Sequence, residues 1–305
     1  MPKVSVMVPA YNAQSFIEET LTSILSQDYG DFQIVVSDDA SLDATADIIR
    51  QYEERYPSRL LAIYNQKNLG ITKNCNVALS RCDGEYIVLF AGDDVMLPGK
   101  ISKQVAFMEA NPQLAFSYHA VEIFQSETGE ILNVTDQNPS ARISNGADVI
   151  TKMGIPGPMS IMLRRCCLPQ SLFDENLSFV SDWMLQFQLS LRGEIGFLEG
   201  VWCRYRKYGV NNGKSLAAYE DEFLKVLDSI ADEHPEFNEV CNAGRSRYFI
   251  GRSFRESDPL VKRKFIKAAY QYGRNPVYRV LEGLTYMPFS KSIFDIIKNI
   301  YKKTR

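Results

Sequence analysis

The chain has 305 residues, 45% of them hydrophobic and 23% charged, long enough to bury a full core as one large domain or a domain with an appendage. Its formal net charge of −3 gives no footing for nucleic acid, a partner that calls for a strongly basic face. No stretch approaches the roughly 20 apolar residues of a membrane-spanning helix.

The opening residues, MPKVSVMVPAYN, carry an apolar run from Val4 to Ala10 that is too short for the core of a secretion signal and lacks a cleavage site. Cys75, Cys82, Cys166, Cys167, Cys203 and Cys241 form no CxxC pair and no disulfide-type spacing, which favours a reducing, cytoplasmic setting. KVSVMVPA reads as the first strand, after which Phe16, Ile17, Leu21, Ile24 and Leu25 recur at helical spacing. The alternation continues: DFQIVVSDD as strand, TADIIRQYEERY as helix, LLAIYN as strand, TKNCNVALSRC as helix, EYIVLFAG as strand, then GKISKQVAFMEA as helix with Pro98 near its start. Such β-α alternation predicts a mainly parallel, Rossmann-like α/β sheet covered on both faces. From LAFSYHAVEIFQ the pattern is mixed, with a hairpin at ETGE, a Gly/Pro loop at MGIPGPMS, a strand at IMLRR and a helix beginning near Asp182. Beyond about Leu216 it is almost wholly helical, broken at Pro235, Pro259, Pro276 and Pro288, so the expected division is 1–215 and a helical region 216–305.

In open α/β sheets ligands bind beyond the carboxyl ends of the strands. Three strand ends carry unusual residues: VPAYN, VVSDDAS and LFAGDD. None is a glycine-rich phosphate loop, which argues against a dinucleotide dehydrogenase or a P-loop kinase. Singly, the first two have plain readings, Pro9 and Asn12 as turn residues and Asp38 and Asp39 as helix caps before SLDATADII. Asp93 and Asp94 also precede a helix, but two carboxylates side by side at a buried strand end repel, and a hard divalent cation with oxygen ligands offsets that repulsion.

Together these ends resemble the family 2 glycosyltransferases, through VSVMVPAYNAQSFIEETLTSILSQDYGDFQIVVSDDASLDAT, then NLGITKNCNVAL, then GEYIVLFAGDDVMLPGK. The likeness is strong over roughly residues 3–110 and looser over 150–215. It implies a GT-A nucleotide-diphospho-sugar transferase fold, with a nucleotide-binding half at about 1–110 and an acceptor half at about 111–215. It also implies roles by position. Pro9, Ala10 and Tyr11 cradle the base and ribose of a UDP-sugar, Asp39 bonds the uracil imide, and Lys73 lies near the nucleotide. Asp93 turns to the ribose and, with Asp94, to Mn2+ or Mg2+ bridging the diphosphate, although the acid often found at Ala91 is missing. For an inverting transfer the family places a base at a loop-to-helix junction, here Asp182 in FVSDWML, a residue that also reads as a helix cap. Trp183 beside it reads as a sugar platform or a core residue. YRKYGVNNGKS resembles the segment that closes over the diphosphate, with Tyr208 in the place of a histidine and Arg204, Arg206 and Lys214 as phosphate partners or plain surface charge. Gly157 and Ser160 lie where relatives build the acceptor pocket, and His119 and His234 match no motif.

From Gly251 to Arg305 there are 13 Lys and Arg against 4 Asp and Glu. Within that segment KSIFDIIKNIYKKTR puts Ile293, Ile296, Ile297 and Ile300 on one helical side, a stripe suited to an anionic membrane surface, to the body of the protein or to a second subunit. The expected activity is transfer of a sugar to a hydroxyl of a glycan, a lipid-linked saccharide or a glycoprotein, in the cytoplasm or at the inner face of its membrane. A nucleotidyltransferase would show a basic, glycine-rich loop where VPAYNAQS stands, and a silent binding module is opposed by intact Asp39, Asp93, Asp94 and Asp182.

Overall fold

The computed structural model describes residues 1–208 and 214–286, without the side chains of 214–218 and 220. The isoleucine stripe of the tail and the side chain of Lys214 therefore lie outside the described residues. The chain forms two compact units, one of Met1–Val149 with Gly154–Tyr219 and one of Ile150–Met153 with Glu220–Arg305.

The first unit opens with strand β1 (Val4–Ala10), helix α1 (Ile17–Leu25), β2 (Phe32–Asp38), α2 (Thr45–Arg55), β3 (Leu60–Tyr64), α3 (Ile71–Leu79) and β4 (Tyr86–Leu89). All seven residues of β1 are buried, as a strand covered on both faces requires. α1 buries Ile17, Thr20, Leu21 and Ile24, the one-sided stripe that its spacing predicts. After β4 come a two-residue strand β5 (Val95–Met96), α4 (Lys100–Ala110), the long β6 (Leu114–Gln125), β7 (Ile131–Val134), α5 (Gly146–Lys152), β8 (Met162–Arg164), α6 (Ser181–Ser190) and β9 (Glu194–Lys207).

Among the described residues these strands make one sheet in the order β3-β2-β1-β4-β8-β6-β9-β5, with β7 on β6. β3, β2, β1 and β4 are parallel. β8 is antiparallel to β4 and β6, β9 is parallel to β6, and β5 is antiparallel to β9. The chain leaves β1 toward β2 and β3 and then returns to place β4 on the other side of β1, which opens a crevice beyond the carboxyl ends of β1 and β4. Sequence periodicity did not reveal β9. Its pairing with β6 shifts register near His119, Ala120 and Val121, and each such irregularity breaks the two-residue period on which a strand is recognised.

The second unit holds most of α7 (Lys214–Glu233), with α8 (Asn238–Ser253), α9 (Pro259–Gly273) and α10 (Pro276–Leu284). Its α7 part buries Phe223, Val226, Leu227 and Ile230, and Ile250, Ile266, Ala269 and Leu281 form a second core cluster. α9 and α10 start alike. Asp258 and Asn275 cap them by accepting from the N–H groups of Leu260 and Val277 at 2.7 and 3.0 Å, and Pro259 and Pro276 follow at the first helical position.

Candidate active site

Backbone pairing brings the three acidic and aromatic strand ends to one rim. Ala10 is in register with Asp38, the Asp39 N–H donates to the Ala10 carbonyl at 2.9 Å, and the Gly92 N–H donates to the Pro9 carbonyl at 3.1 Å. Gly92 allows this approach, since a Cβ there would meet the Pro9 oxygen at 3.1 Å and Ile17 at 3.2 Å. Pro9 and Ala10 are buried, while the Tyr11 ring is 46% exposed at the mouth. Asn12, at φ 48°, accepts from Leu42 N–H at 2.8 Å, which ties the first turn to the second.

The paired acids after β2 divide their work. Asp38 folds back on its own loop and accepts from the Ser41 N–H at 3.1 Å. Asp39 is 2% exposed and reaches across to the next crossover, where its Oδ1 accepts from Leu69 N–H at 2.8 Å and from Asn65 at 3.3 Å, and its Oδ2 accepts from Gly70 N–H at 2.9 Å. Neither acid caps α2. Asp43, one residue before the N-cap Ala44, accepts from the Thr45 N–H at 2.9 Å. Gly70, at φ 85°, leads into α3, whose first turn carries the exposed Lys73. Asp39 thus anchors the loop that presents Lys73 to the same rim.

Asp93 and Asp94 differ in exposure. Asp93 is half-buried and its Oδ2 accepts from the Tyr208 hydroxyl at 2.9 Å. Asp94 is fully buried. Its Oδ1 accepts from Arg206 N–H at 3.0 Å, while its Oδ2 is buried without a hydrogen-bond partner. Burial, then the neighbouring Asp93 charge, pushes the Asp94 carboxyl well above the usual range, against the pull of Arg206. Such a carboxylate fits a bound cation, which supplies the charge the protein withholds. Among the described residues no cluster of three His, Cys, Asp or Glu groups is arranged to hold a metal.

Arg206 is not free to meet phosphate. Its guanidinium donates to the Asp93 carbonyl at 2.7 Å and pairs with Glu19 of α1, between the rings of Phe16 and Phe124 at 4.9 and 4.8 Å. Arg204 is likewise engaged, with Glu122 at 2.8 Å. Tyr208 lies on Phe16 with ring centroids 4.8 Å apart. The part played by Glu19 had no sequence signal, because its partner lies 187 positions away, and Phe16 reads only as a member of the apolar stripe.

Asp182 stands in the first turn of α6, half-buried, with its own N–H and that of Trp183 bonded to its carboxylate. Burial outweighs these bonds and raises its pKa to about 6. The Thr72 hydroxyl of α3 meets the Leu177 carbonyl at 2.5 Å and the Ser181 hydroxyl at 3.3 Å, which holds the start of α6 against the start of α3. Buried Cys75 lies within range of both carboxylates: after burial, the charges of Asp182 and Asp39 are what push its thiol up to about 12. Asp39, Lys73 and Asp182 therefore gather round one end of α3. Trp183 is a core residue, 3% exposed, and donates to the Val149 carbonyl at 2.7 Å. Ser160 is buried too, and its carbonyl accepts from Gln104 at 2.8 Å. His119 is fully buried, kept neutral by burial and by nearby Lys100.

The family model described as Glycosyl transferase family 2 matches residues 5–167. A putative glycosyltransferase of Bacillus subtilis, EpsE, is 41% identical over 108 residues, covering 35% of this chain and 39% of its own length. The chain spans 39% to 63% of the length of the first curated relatives it matches. Among solved structures, Staphylococcus aureus TarS 1–349 in complex with UDP-GlcNAc superposes with a TM-score of 0.70 at 20% identity, over 95% of this chain and 87% of that one. The mannosyltransferase PcManGT of Pyrobaculum calidifontis, in complex with GDP-Man and Mn2+, gives 0.65 at 19% identity over 99% and 88%. These likenesses show the GT-A fold, whose mixed sheet and helical C-terminal region are those described above.

Proposed function

This chain belongs to glycosyl transferase family 2, and from that premise we propose that it transfers one sugar, with inversion, from a UDP-sugar to a hydroxyl of a glycan, a lipid-linked saccharide or a glycoprotein. The observation that carries the reading is the gathering of Asp39, Lys73 and Asp182 at one end of α3, on the rim that also bears Asp93 and Asp94. TarS supplies the precedent for UDP-GlcNAc on this fold.

Pro9, Ala10 and Tyr11 form the cradle for base and ribose. A carboxylate offers about four acceptor positions, and Asp39 spends two on Oδ1 and one on Oδ2. The remaining one faces the uracil imide. Asp93 and Asp94 would hold Mn2+ or Mg2+, as the free Oδ2 of Asp94 favours, and a precedent with Mn2+ exists in PcManGT. The ion, when bound, neutralises charge on the departing diphosphate. Lys73 adds a second positive charge on that side. Asp182 accepts the proton of the acceptor hydroxyl as its oxygen bonds to the anomeric carbon, while the bond from that carbon to the phosphate oxygen breaks and UDP leaves with the electron pair. A pKa near 6 suits a base working near neutrality, ionised yet basic. No helix among the described residues is long and apolar enough to cross a membrane.

A thermal-shift series with UDP-, GDP- and dTDP-sugars plus Mn2+ tests the reading. Ligand at ~100 times its dissociation constant adds about 2.7 kcal/mol to stability, so a UDP-sugar raises the melting temperature and omission of Mn2+ lowers that gain. A shift with GDP-sugars alone would reassign the donor, and none with any nucleotide would overturn the site.

A further inference from the structure

The α9–α10 pair leaves one side open. Its inward residues Ile266, Ala269 and Leu281 are buried with Ile250, while Leu260, Val277, Val280 and Tyr286 are 64%, 52%, 63% and 63% exposed. Val280 stands to one side of the packed Leu281–Leu284 line of α10, and Val277, one turn before Leu281, is exposed at the start of the helix. Tyr286 is held near the start of α9, where Leu260 projects: the Arg263 guanidinium covers its ring at 3.4 Å, and Arg263 Nε donates to the Thr285 hydroxyl at 3.0 Å. Single exposed aliphatic residues need no explanation, but several on one helical pair mark a contact surface.

Charge says what kind of contact. Over residues 259–286 there are six cations, Lys262, Arg263, Lys264, Lys267, Arg274 and Arg279, against one acid, Glu282, a balance of +5. That acid already pairs with Lys267 at 3.5 Å, and the preceding Asp258 is spent on capping α9. Lys264, Arg274 and Arg279 are exposed. We propose that this face rests on an anionic lipid surface, with Leu260, Val277, Val280 and Tyr286 entering the headgroup boundary and the cations meeting lipid phosphates. A second copy of the chain fits less well, because an isologous contact would bring two equally basic faces together. The inference does not depend on the sugar-transfer reading, and its test needs no nucleotide.

Full-length protein is sedimented at low salt with phosphatidylcholine vesicles, with or without 30% phosphatidylglycerol (on the order of the anionic fraction that gives a strong surface potential). Binding is expected with the anionic vesicles alone and is released by added salt. Lys264→Glu with Arg274→Glu should weaken the partition at least tenfold, and Val277→Ser with Val280→Ser severalfold. These positions are exposed, so unchanged circular dichroism and melting serve as the folding control, and residues 287–305 are kept in every variant. Equal partition of wild type and variants overturns the proposal, as does failure to bind anionic vesicles. A dimer in analytical ultracentrifugation that the valine pair abolishes, with no lipid binding, assigns the face to a second copy instead.

Discussion

Asp182 carries a testable conflict between stability and chemistry. Its pKa of about 6 stands above the ordinary value of 3.8, so the folded protein binds a proton more tightly than the unfolded chain between those two values. The resulting penalty is absent below about pH 4, grows as pH rises toward 6 and is complete above it. Asp182→Asn removes the penalty, and at pH 7.5 it should raise stability by about 1 to 2 kcal/mol, less than the full shift at 1.36 kcal/mol per unit because the residue is only half-buried. The same change should cut transfer by 10² to 10⁴, about 3 to 5 kcal/mol of barrier, as loss of a general base does. The wild-type rate should fall as pH drops through about 6, a limb the variant lacks. Melting scans at pH 4 and 7.5, with a pH-rate profile, check all three, and near-normal transfer by the variant would leave Asp182 a helix cap. Tyr208 makes a second case. Its hydroxyl donates to Asp93 Oδ2, an oxygen that the proposed cation would compete for. Tyr208→Phe keeps the stack on Phe16 and should tighten Mn2+ binding about three- to tenfold, within the value of a hydrogen bond to a charged group; calorimetry showing weaker Mn2+ binding would make the phenol a helper of the metal instead. The acids at strand ends were legible because like charges in a row are unusual. The groups that hold them, Arg206 and Glu19, were not, since nothing local in sequence announces a pairing across 187 positions.

At the scale of elements, the parallel half was legible because each strand and helix there keeps one period from end to end and is punctuated by polar turns. The 14-residue β9 was not: its pattern of exposure runs without alternation, bent by register shifts against β6 and by Gly200 at φ 105°. Yet β9 delivers Arg206 and leads directly to Tyr208, so the half of the site that sequence reading saw least is the half that fixes the aspartates. A close approach in the parallel half can be tested directly. Gly84 precedes β4 and its N–H donates to the Ser5 hydroxyl at 2.8 Å, and a Cβ on it would stand 2.5 Å from the Ser5 nitrogen and 2.8 Å from the Tyr86 carbonyl oxygen. Those neighbours are backbone and cannot swing away. Gly84→Ala should cost about 1 to 3 kcal/mol, the range for overpacking, while Gly30→Ala, with open space around its Cβ, should cost less than half a kcal/mol, as surface changes do. Equal denaturation midpoints for the two would mean that β1 and β4 have more freedom than their register implies.

For the whole molecule, the question is whether the helical region can be removed. The composition shift near Leu216 reads as the start of an appendage, and every residue proposed for chemistry precedes it. The division of the chain is less simple, because Ile150–Met153 belong with Glu220–Arg305. Helix α5 spans Gly146–Lys152 and so contributes to both units. Its Val149 carbonyl accepts from Trp183, next to Asp182, while its Ile150 is fully buried with Gly244 of α8 against it, so close that a Cβ there would meet Ile150 at 3.3 Å. A chain ended at Tyr219 keeps the candidate site but strips the neighbours of Ile150. Exposing one such side chain costs about 1.5 to 3 kcal/mol, a sizeable part of the 5 to 15 kcal/mol by which domains are stable. The shortened protein should therefore melt lower and aggregate at concentrations where the full chain stays soluble, and Ile150→Ser should relieve the aggregation in part. Any folded fraction should still bind UDP with Mn2+, since Asp39, Asp93 and Asp94 are untouched. Unchanged melting and solubility of residues 1–219 would show that the four-residue insertion carries no weight and that the helical region is a separable module.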